Sequence, residues 1–263
     1  MTSISVVITT VKSPDALDLC IRSAIEGQDN DNQIIVVCDG YYDDSKHVLE
    51  KYAEKLNLVR LNSNVGMCKA QNFGVYSCTN DNILIVHDDH VFPQGWDTAL
   101  SKIDISDAVV SPNQIEPYNS MYPQFIIKDL GTDPNTFDLA NFWQYEKNNR
   151  KDYWDISGCT YPIYITKTNY NRVGGFDTDY PHKSGLVADW DFFLKCELSK
   201  LKMIRTYTCI FYHFVSLTQK KTPEQQQESY IGEQQCHGYF RLKWGQPSQH
   251  NPQNNSKLLK KGT

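Results

Sequence analysis

The residues in this sequence with the clearest chemical potential are two carboxylates and two imidazoles that directly follow a short apolar run. Residues 83–86 have the length and composition of a buried strand, and His87, Asp88, Asp89 and His90 come next. Charged groups at the end of a buried strand are costly to desolvate unless a cation compensates them. Carboxylates and imidazoles suit Mn²⁺ or Mg²⁺, so the stretch predicts a divalent-cation site, with an ordinary polar turn as the alternative.

Further polar residues follow the other apolar runs of the first half. Thr9 and Thr10 end the first run, Asp39 ends the second, and Asn64 lies in the loop after the third. In open parallel sheets, ligands bind beyond the carboxyl ends of the strands. We therefore expect these residues and the 87–90 turn to meet at one edge of a sheet.

The elements that must position these residues alternate between strand and helix through the first 90 residues or so. Apolar runs predict strands at 4–8, 34–38, 58–61 and 83–86. Helical periodicity follows the first three runs, with helices beginning at Ser13-Pro14, at Ser45 and after Gly66. The alternation predicts an α/β fold in which a mostly parallel, Rossmann-like sheet is flanked by helices.

The second half is less regular. Its patterns predict strands at 108–111, 162–166 and 204–214 and helices at 169–173, 190–201 and 223–244. Residues 112–155 are rich in Asn, Asp, Pro and aromatic residues, and we interpret them as an irregular insertion with some helix. From residue 245 onward the polar composition predicts a disordered tail. Nothing in the pattern separates two independent domains.

Composition excludes several classes of function. The chain of 263 residues carries 26 Lys+Arg against 31 Asp+Glu, net charge −5, which argues against nucleic acid as a partner. Its eight cysteines show no zinc spacing and several lie in apolar runs, as expected of reduced thiols in the cytoplasm. No signal peptide or transmembrane segment is predicted, so we expect a soluble cytoplasmic protein whose oligomeric state stays open.

Six pieces of this chain together resemble the family 2 glycosyltransferases of the GT-A fold. In order they read VVITT, VVCDG, NVGMCKAQNFG, ILIVHDDH, VGGFD and ADWDFFLK, and they extend over roughly residues 4–215. The resemblance implies transfer of a sugar from a nucleotide-sugar donor to a hydroxyl of a glycan or glycoconjugate, with inversion and a divalent cation, Mn²⁺ or Mg²⁺. It also implies a glycosyltransferase domain over 1–222, divided into a nucleotide-binding half (1–92) and an acceptor-binding half (93–222). Residues 223–263 would then form a C-terminal helix and polar tail.

The resemblance assigns roles to residues of the first half. Thr9 and Thr10 would belong to the loop that lies along the nucleobase, and Asp39 would be the carboxylate that hydrogen-bonds the base. The residues flanking the ribose and the diphosphate would be Asn64, Lys69 and Asn72. Where the family has Asp-x-Asp as its metal motif, this chain has Asp88-Asp89-His90. The related polypeptide N-acetylgalactosaminyltransferases also carry Asp-x-His, and neutral imidazole is a suitable ligand. The motif could also begin one residue earlier, as His87-Asp88-Asp89. Asp88 would contact the ribose, the metal or both.

The remaining assignments lie in the second half. His213 follows the last predicted strand, where many family members place a histidine, and is the expected second metal ligand; His182 and His237 are weaker alternatives. On the acceptor side, Gly175 lets the backbone approach the donor sugar and Asp177 could take a sugar hydroxyl. Where the family usually has Glu-Asp, this chain has Ala188-Asp189. Asp189 is the expected general base, with Asp191 as the fallback, although a helix N-cap would also explain Asp189.

Three alternatives to the inverting transferase remain at this point. The Asp-x-His motif suggests a retaining enzyme, and Ala188 suggests a nucleotide-sugar or glycan-binding module that has lost activity. A sugar-nucleotide pyrophosphorylase is disfavoured because no Gly-rich loop bearing Arg and Lys follows the first strand. The nucleobase, sugar, acceptor and linkage are left open, since specificity in this fold lies in loops such as 112–155.

Overall fold

The fold is a mixed α/β sheet flanked by helices, as the alternating sequence pattern predicts. A computed structural model describes residues 3–118, 120, 122–215 and 222–245. Its strands are β1 (Ile4–Thr10), β2 (Gln33–Asp39), β3 (Asn57–Leu61), β4 (Asn82–His87), β5 (His90–Val91), β6 (Ala108–Glu116), β7 (Ile126–Ile127), β8 (Trp154–Asp155), β9 (Ile163–Thr166) and β10 (Lys202–His213). Its helices are α1 (Pro14–Gly27), α2 (Tyr42–Lys51), α3 (Met67–Tyr76), α4 (Trp96–Ser101), α5 (Leu139–Asn149), α6 (Lys167–Val173), α7 (Ala188–Leu198) and α8 (Pro223–Trp244).

One continuous sheet joins the two halves of the chain. Its strand order is β3-β2-β1-β4-β9-β6-β10-β5, with β7 paired to β6 and β8 paired to β10. Strands β3, β2, β1, β4, β6 and β10 point the same way, because β9 is antiparallel both to β4 and to β6. The carboxyl ends of strands from both halves therefore meet at one edge of the sheet.

Helices cover both faces of this sheet, and alternate residues of its strands supply the main core on each face. Val6 packs in a cluster with Leu17 of α1, whereas its neighbour Val7 faces the opposite side, in a cluster with Phe192 of α7 and Phe240 of α8. This second cluster includes residues from β1 to α8, so one core spans both halves and the C-terminal helix. All eight cysteines are free and buried, which agrees with the predicted reduced thiols.

The structure corrects several predicted element bounds. Helix α1 begins at Pro14 as predicted, but the Ser13 side chain makes no capping hydrogen bond, and α2 begins at Tyr42 rather than Ser45. In the 112–155 segment, β6 continues to Glu116, beyond the predicted end of the strand at residue 111, whereas α5 agrees with the helix expected within the segment. Asp138 caps α5 by accepting a hydrogen bond from the Asn141 amide.

The C-terminal part of the chain is described only to residue 245. Helix α8 agrees with the prediction for 223–244, whereas the predicted disordered tail lies almost entirely outside the described residues. Among the described helices, none combines the length and the apolar content that a bilayer span requires.

Candidate active site

The carboxyl ends of the parallel strands open into a cleft of about 680 Å³. Of the residues that the sequence singled out, those lining it are Thr9, Asp39, Asn64, His87, Asp88, Asp89, His90, His182, Asp189 and His213. Thr10 reaches the same edge through a 2.6 Å hydrogen bond from its Oγ1 to Asp88 Oδ2. The structure thus brings together residues from β1, β2, β4 and β10 with residues from the segment before α7 and from α7 itself.

Three side chains of the 87–90 turn form a compact group of potential metal ligands. One ligand atom each of His87, Asp89 and His90 lies within 4.8 Å of the other two. His87 Nε2 is buried and has no hydrogen-bond partner among the described residues, and the buried atoms Asp89 Oδ1 and His90 Nδ1 have only each other, at 3.4 Å and without the alignment of a good hydrogen bond. A buried polar atom without a partner is unfavourable, so the group is chemically incomplete by itself.

The protonation states of this group suit a divalent cation. Burial lowers the pKa of His87 to about 3 and also lowers the pKa of His90, so both imidazoles are neutral at physiological pH. Burial would raise the pKa of Asp89, but the neighbouring His213 and His90 hold it well below its usual value. Two neutral imidazole nitrogens and one carboxylate are ligands that Mn²⁺-type cations accept. The residues present therefore fit such an ion. His87 belongs to the motif only if the motif is taken to begin at residue 87 and not at residue 88.

His213 lies beside this group and is held by two carboxylates. Its Nδ1 is 2.9 Å from Glu116 Oε1, its Nε2 is 3.5 Å from Asp89 Oδ2, and its ring stacks on His90 at a centroid distance of 4.7 Å. Burial opposes its protonation, but the two carboxylates raise the pKa of His213 to about 10. His213 is thus an ion-pair partner of Asp89 and Glu116 in this arrangement. Its predicted role as a second metal ligand stays a prediction.

Asp88 points away from the group and towards β1. Its Oδ2 accepts the hydrogen bond from Thr10. Burial and the adjacent charge of Asp89 raise the pKa of Asp88 to about 8, and the bond from Thr10 opposes this rise. Asp88 therefore lies between the metal-type group and the residues that end β1.

Asp39 organises the loop that precedes α3. Its carboxylate is 1% exposed and accepts hydrogen bonds from the Val65 amide at 2.7 Å and the Gly66 amide at 3.0 Å. Burial raises the pKa of Asp39, while these two amides oppose the rise. Gly40 has φ +85° and packs so closely that a Cβ atom there would lie 2.1 Å from the Asn64 nitrogen. Asp39 is thus held in the cleft wall by its hydrogen bonds to the loop before α3. Its predicted role in binding the nucleobase stays a prediction.

Three further residues with predicted roles at the donor, namely Lys69, Asn72 and Gly175, do not line the cleft. Lys69 is exposed on α3. Asn72 Oδ1 accepts a 2.5 Å hydrogen bond from Tyr170 Oη and a 3.0 Å bond from the Phe176 amide, and Asn72 Nδ2 donates to the Phe176 carbonyl. Gly175, with φ +61°, packs against Asn72 Oδ1. Asn72 and Gly175 thus fasten the glycine turn to α3. The nucleotide-binding roles of Lys69 and Asn72 and the donor-sugar role of Gly175 stay predictions.

The two acids of the ADWDF piece have different surroundings. Asp189 lines the cleft, and burial raises its pKa to about 6, opposed by hydrogen bonds from backbone amides. Asp191 is fully buried; its Oδ1 accepts a 2.7 Å hydrogen bond from Trp244 Nε1 and lies 2.7 Å from Lys243 Nζ. The geometry therefore places Asp189 where a substrate could reach it and uses Asp191 to anchor α8.

Several cleft residues were missed by the sequence interpretation. Gln114 Nε2 lies 3.1 Å from His90 Nε2 and also donates to the Tyr161 carbonyl, so it orients the His90 ring. Gln114 and Glu116 belong to the end of β6, whose polar but buried residues carry no apolar signal. Two cations, Lys12 and Lys183, also line the cleft.

Comparisons with known proteins give this geometry a context. The sequence profile described as Glycosyl transferase family 2 matches residues 5–170. A protein of Borreliella burgdorferi named cholesterol galactosyltransferase is 24% identical over 221 residues, covering 82% of this chain and 54% of that protein. The chain therefore spans about half the length of this curated relative.

Solved structures share the fold at low sequence identity. S. aureus TarS matches with TM-score 0.60 and 16% identity, covering 98% of this chain and 42% of that chain. GalNAc-T7, solved with UDP, GalNAc and Mn²⁺, matches with TM-score 0.62 and 14% identity, covering 81% of this chain and 44% of that protein. These likenesses confirm the predicted GT-A fold.

Proposed function

This chain belongs to glycosyl transferase family 2, and on that basis we propose that it transfers a sugar from a nucleotide-sugar donor to a hydroxyl of a glycan or glycoconjugate, with inversion. The observation that carries the proposal is the shared cleft, in which a metal-type group and a separate carboxylate, Asp189, face the same space. Inverting transfer in this site uses both: the departing diphosphate is neutralised at the metal-type group, and the carboxylate takes the proton of the attacking hydroxyl.

Asp189 is the general base in this proposal. Its carboxylate accepts the proton of the acceptor hydroxyl while the hydroxyl oxygen forms a bond to the anomeric carbon. The bond from that carbon to the diphosphate oxygen breaks on the opposite side, and its electron pair leaves with the nucleoside diphosphate. A pKa of about 6 suits the task, because the group is ionised at neutral pH yet basic enough to accept a proton.

The group formed by His87, Asp89 and His90 would hold a divalent cation. When bound, the cation would supply neutralising charge for the diphosphate. The solved GalNAc-T7 complex, which holds UDP and Mn²⁺, supports testing Mn²⁺ first. At the nucleotide end we assign the base and ribose to Thr9, Asp39 and Asn64, with Lys183 supplying further positive charge.

A retaining transferase is the second candidate, and one observation favours it. The metal-type group pairs a carboxylate with imidazoles, as in the Asp-x-His motif of the N-acetylgalactosaminyltransferases that the sequence already suggested. The two proposals differ in the anomeric configuration of the product, which NMR reads directly.

The proposal is tested by incubating the full chain with UDP-, GDP- and dTDP-sugars, with UDP-galactose and UDP-N-acetylgalactosamine among them. Each donor is offered with and without Mn²⁺ and with a panel of glycan and glycolipid acceptors. We expect sugar transfer and nucleoside diphosphate release with one donor class, stimulated by Mn²⁺, and a product of inverted configuration. Donor binding with no turnover would instead indicate a binding module, whereas a product of retained configuration would refute inversion.

A further inference from the structure

Helix α8 contributes part of the cleft wall, although it follows the region that the family profile matches. Glu228 and Ser229, in its second turn, line the cleft together with the strand-end residues. Glu228 is exposed to the cleft and Ser229 is half-buried. Neither side chain makes a hydrogen bond or ion pair with another residue in the described part of the chain, so both can bind a ligand.

The middle of α8 is fixed against the loop before α7. Gly232 lies directly on the imidazole of His182, and a Cβ atom at residue 232 would lie 2.5 Å from the ring carbon Cγ. On the same helix, Cys236 and Phe240 are fully buried in the core. Only glycine allows this approach, which sets the distance between α8 and the cleft.

The end of α8 is held by charge. Lys243 Nζ lies 2.6 Å from Asp177 Oδ2 and 2.7 Å from Asp191 Oδ1, and Tyr239 Oη donates to Asp177 at 3.1 Å. Trp244 Nε1 adds its bond to Asp191. Asp177 and Asp191 are thus both occupied in fastening α8, which leaves Asp189 and Glu228 as carboxylates of the acceptor side that remain available in the cleft.

Contacts of the loop before α7 place α8 away from the nucleotide end. The Met67 amide, at the start of α3, donates to the Lys183 carbonyl at 2.8 Å, so the loop lies between α3 and α8. Asp39 holds the other side of the α3 start. These contacts connect Asp39, at the proposed nucleotide end, to the start of α3, then to the 182–185 loop, and then to α8 with Glu228.

We propose that Glu228 and Ser229 form a sugar-binding wall that recognises hydroxyl groups of the donor sugar or of the acceptor glycan. This inference rests on the proposed transferase function. An exposed carboxylate repels a diphosphate but is a strong hydrogen-bond acceptor for sugar hydroxyls, and the adjacent serine hydroxyl can both donate and accept. The chemistry of the wall therefore fits the uncharged sugar and not the nucleotide.

The test compares Glu228→Ala and Ser229→Ala with Glu233→Gln, which removes an acid from the same helix outside the cleft. Glu233 is exposed, and its pair with the half-buried His237, at 3.5 Å, contributes little to stability. Three quantities are measured with Mn²⁺ present: the Kd of the nucleoside diphosphate, the Kd of the matching nucleotide-sugar, and the KM of the acceptor. Circular dichroism and thermal unfolding verify that each variant is folded.

We expect Glu228→Ala to weaken sugar recognition about 10- to 100-fold, the effect of losing hydrogen bonds to a charged group, and to leave the nucleoside diphosphate Kd unchanged. Loss confined to the nucleotide-sugar Kd assigns the wall to the donor sugar, and loss confined to the acceptor KM assigns it to the acceptor. Behaviour equal to that of Glu233→Gln, or equal weakening of the nucleoside diphosphate, overturns the inference while the transferase proposal stands. A wild-type protein that neither binds nucleotide nor transfers sugar overturns both.

Discussion

Replacing Asp189 by asparagine separates catalysis from stability, because the structure predicts opposite effects on the two. Burial raises the pKa of Asp189 from an ordinary 3.8 to about 6. In the folded protein the carboxyl group therefore binds a proton more tightly than in the unfolded chain. The contribution of this proton binding to the free energy of unfolding is fully present below pH 4 and is lost as the pH rises through 6.

The size of this effect follows from the shift. About two pKa units at 1.36 kcal/mol each give up to about 3 kcal/mol, which is the cost of ionising Asp189 in the fold at neutral pH. Asn has nearly the same shape and no charge to desolvate. Asp189→Asn should therefore raise the free energy of unfolding by up to about 3 kcal/mol at pH 7 to 8 and by almost nothing near pH 4.

Activity should change in the other direction. Loss of the base should lower kcat by about 10²- to 10⁴-fold with donor Kd nearly unchanged. The wild-type rate should fall about tenfold per pH unit below pH 6, as the base becomes protonated, and the residual rate of the variant should lack this slope.

The assays are chemical unfolding at pH 4 and pH 7.5 and transfer rates from pH 5 to pH 8. Asp191→Asn is the matched control two residues away. Because Asp191 bonds Lys243 and Trp244, that variant should lose about 1.5–3 kcal/mol of stability at neutral pH. Full activity of Asp189→Asn, or its destabilisation at pH 7.5, would refute the assignment of Asp189 as a buried base.

Three further predictions concern other parts of the cleft. Asp89→Ala combined with His90→Ala should abolish the Mn²⁺-dependent gain in nucleoside diphosphate affinity while circular dichroism stays native; equal wild-type affinity with and without Mn²⁺ in calorimetry would contradict it. Asp39→Ala should weaken donor binding by about 1–3 kcal/mol and also lower the unfolding free energy, because the Val65 and Gly66 amides lose their acceptor; retained affinity with a lower Tm would leave only the structural role. Gly232→Ala should lower stability by up to about 2 kcal/mol, because the added methyl group meets the His182 ring and this overpacking, about 1–3 kcal/mol, exceeds the roughly 1 kcal/mol by which a helix favours alanine over glycine; an unchanged or raised Tm would show that α8 can shift freely.

The sequence predicted well where an apolar pattern ends in polar residues. Thr9, Asp39 and the 87–90 turn were identified because each follows a buried run, and parallel strands bring such ends together. Most strands and helices of the first half were predicted as well, because apolar runs and helical periodicity alternate clearly there.

The sequence predicted poorly where burial and polarity coincide. Strand β6 buries Asn113, Gln114 and Glu116. Because these residues are polar, the predicted strand ended at residue 111, and Glu116, the partner of His213, was missed. The roles of Asp189 and Asp191 also depend on α8, whose Lys243 and Trp244 are more than 50 positions away in sequence. Local patterns do not report such long-range contacts, and the exposure of Lys69 could not be inferred from the helix alone.

The antiparallel strand between the two halves has a consequence for folding during synthesis. Strand β9 fills the gap between β4 and β6, and its pairing of Thr166 with Asn82 closes a loop of about 80 residues. Until β9 has left the ribosome, β4 keeps an unpaired apolar edge. The other edge of β6 stays unpaired until β10 has been synthesised. Exposed edges of this kind invite aggregation, and contacts so distant in sequence slow folding. Because Phe240 of α8 belongs to the same core as β1, we expect the fold to be completed only when about residue 244 is available, and fragments that end before β9 to be insoluble.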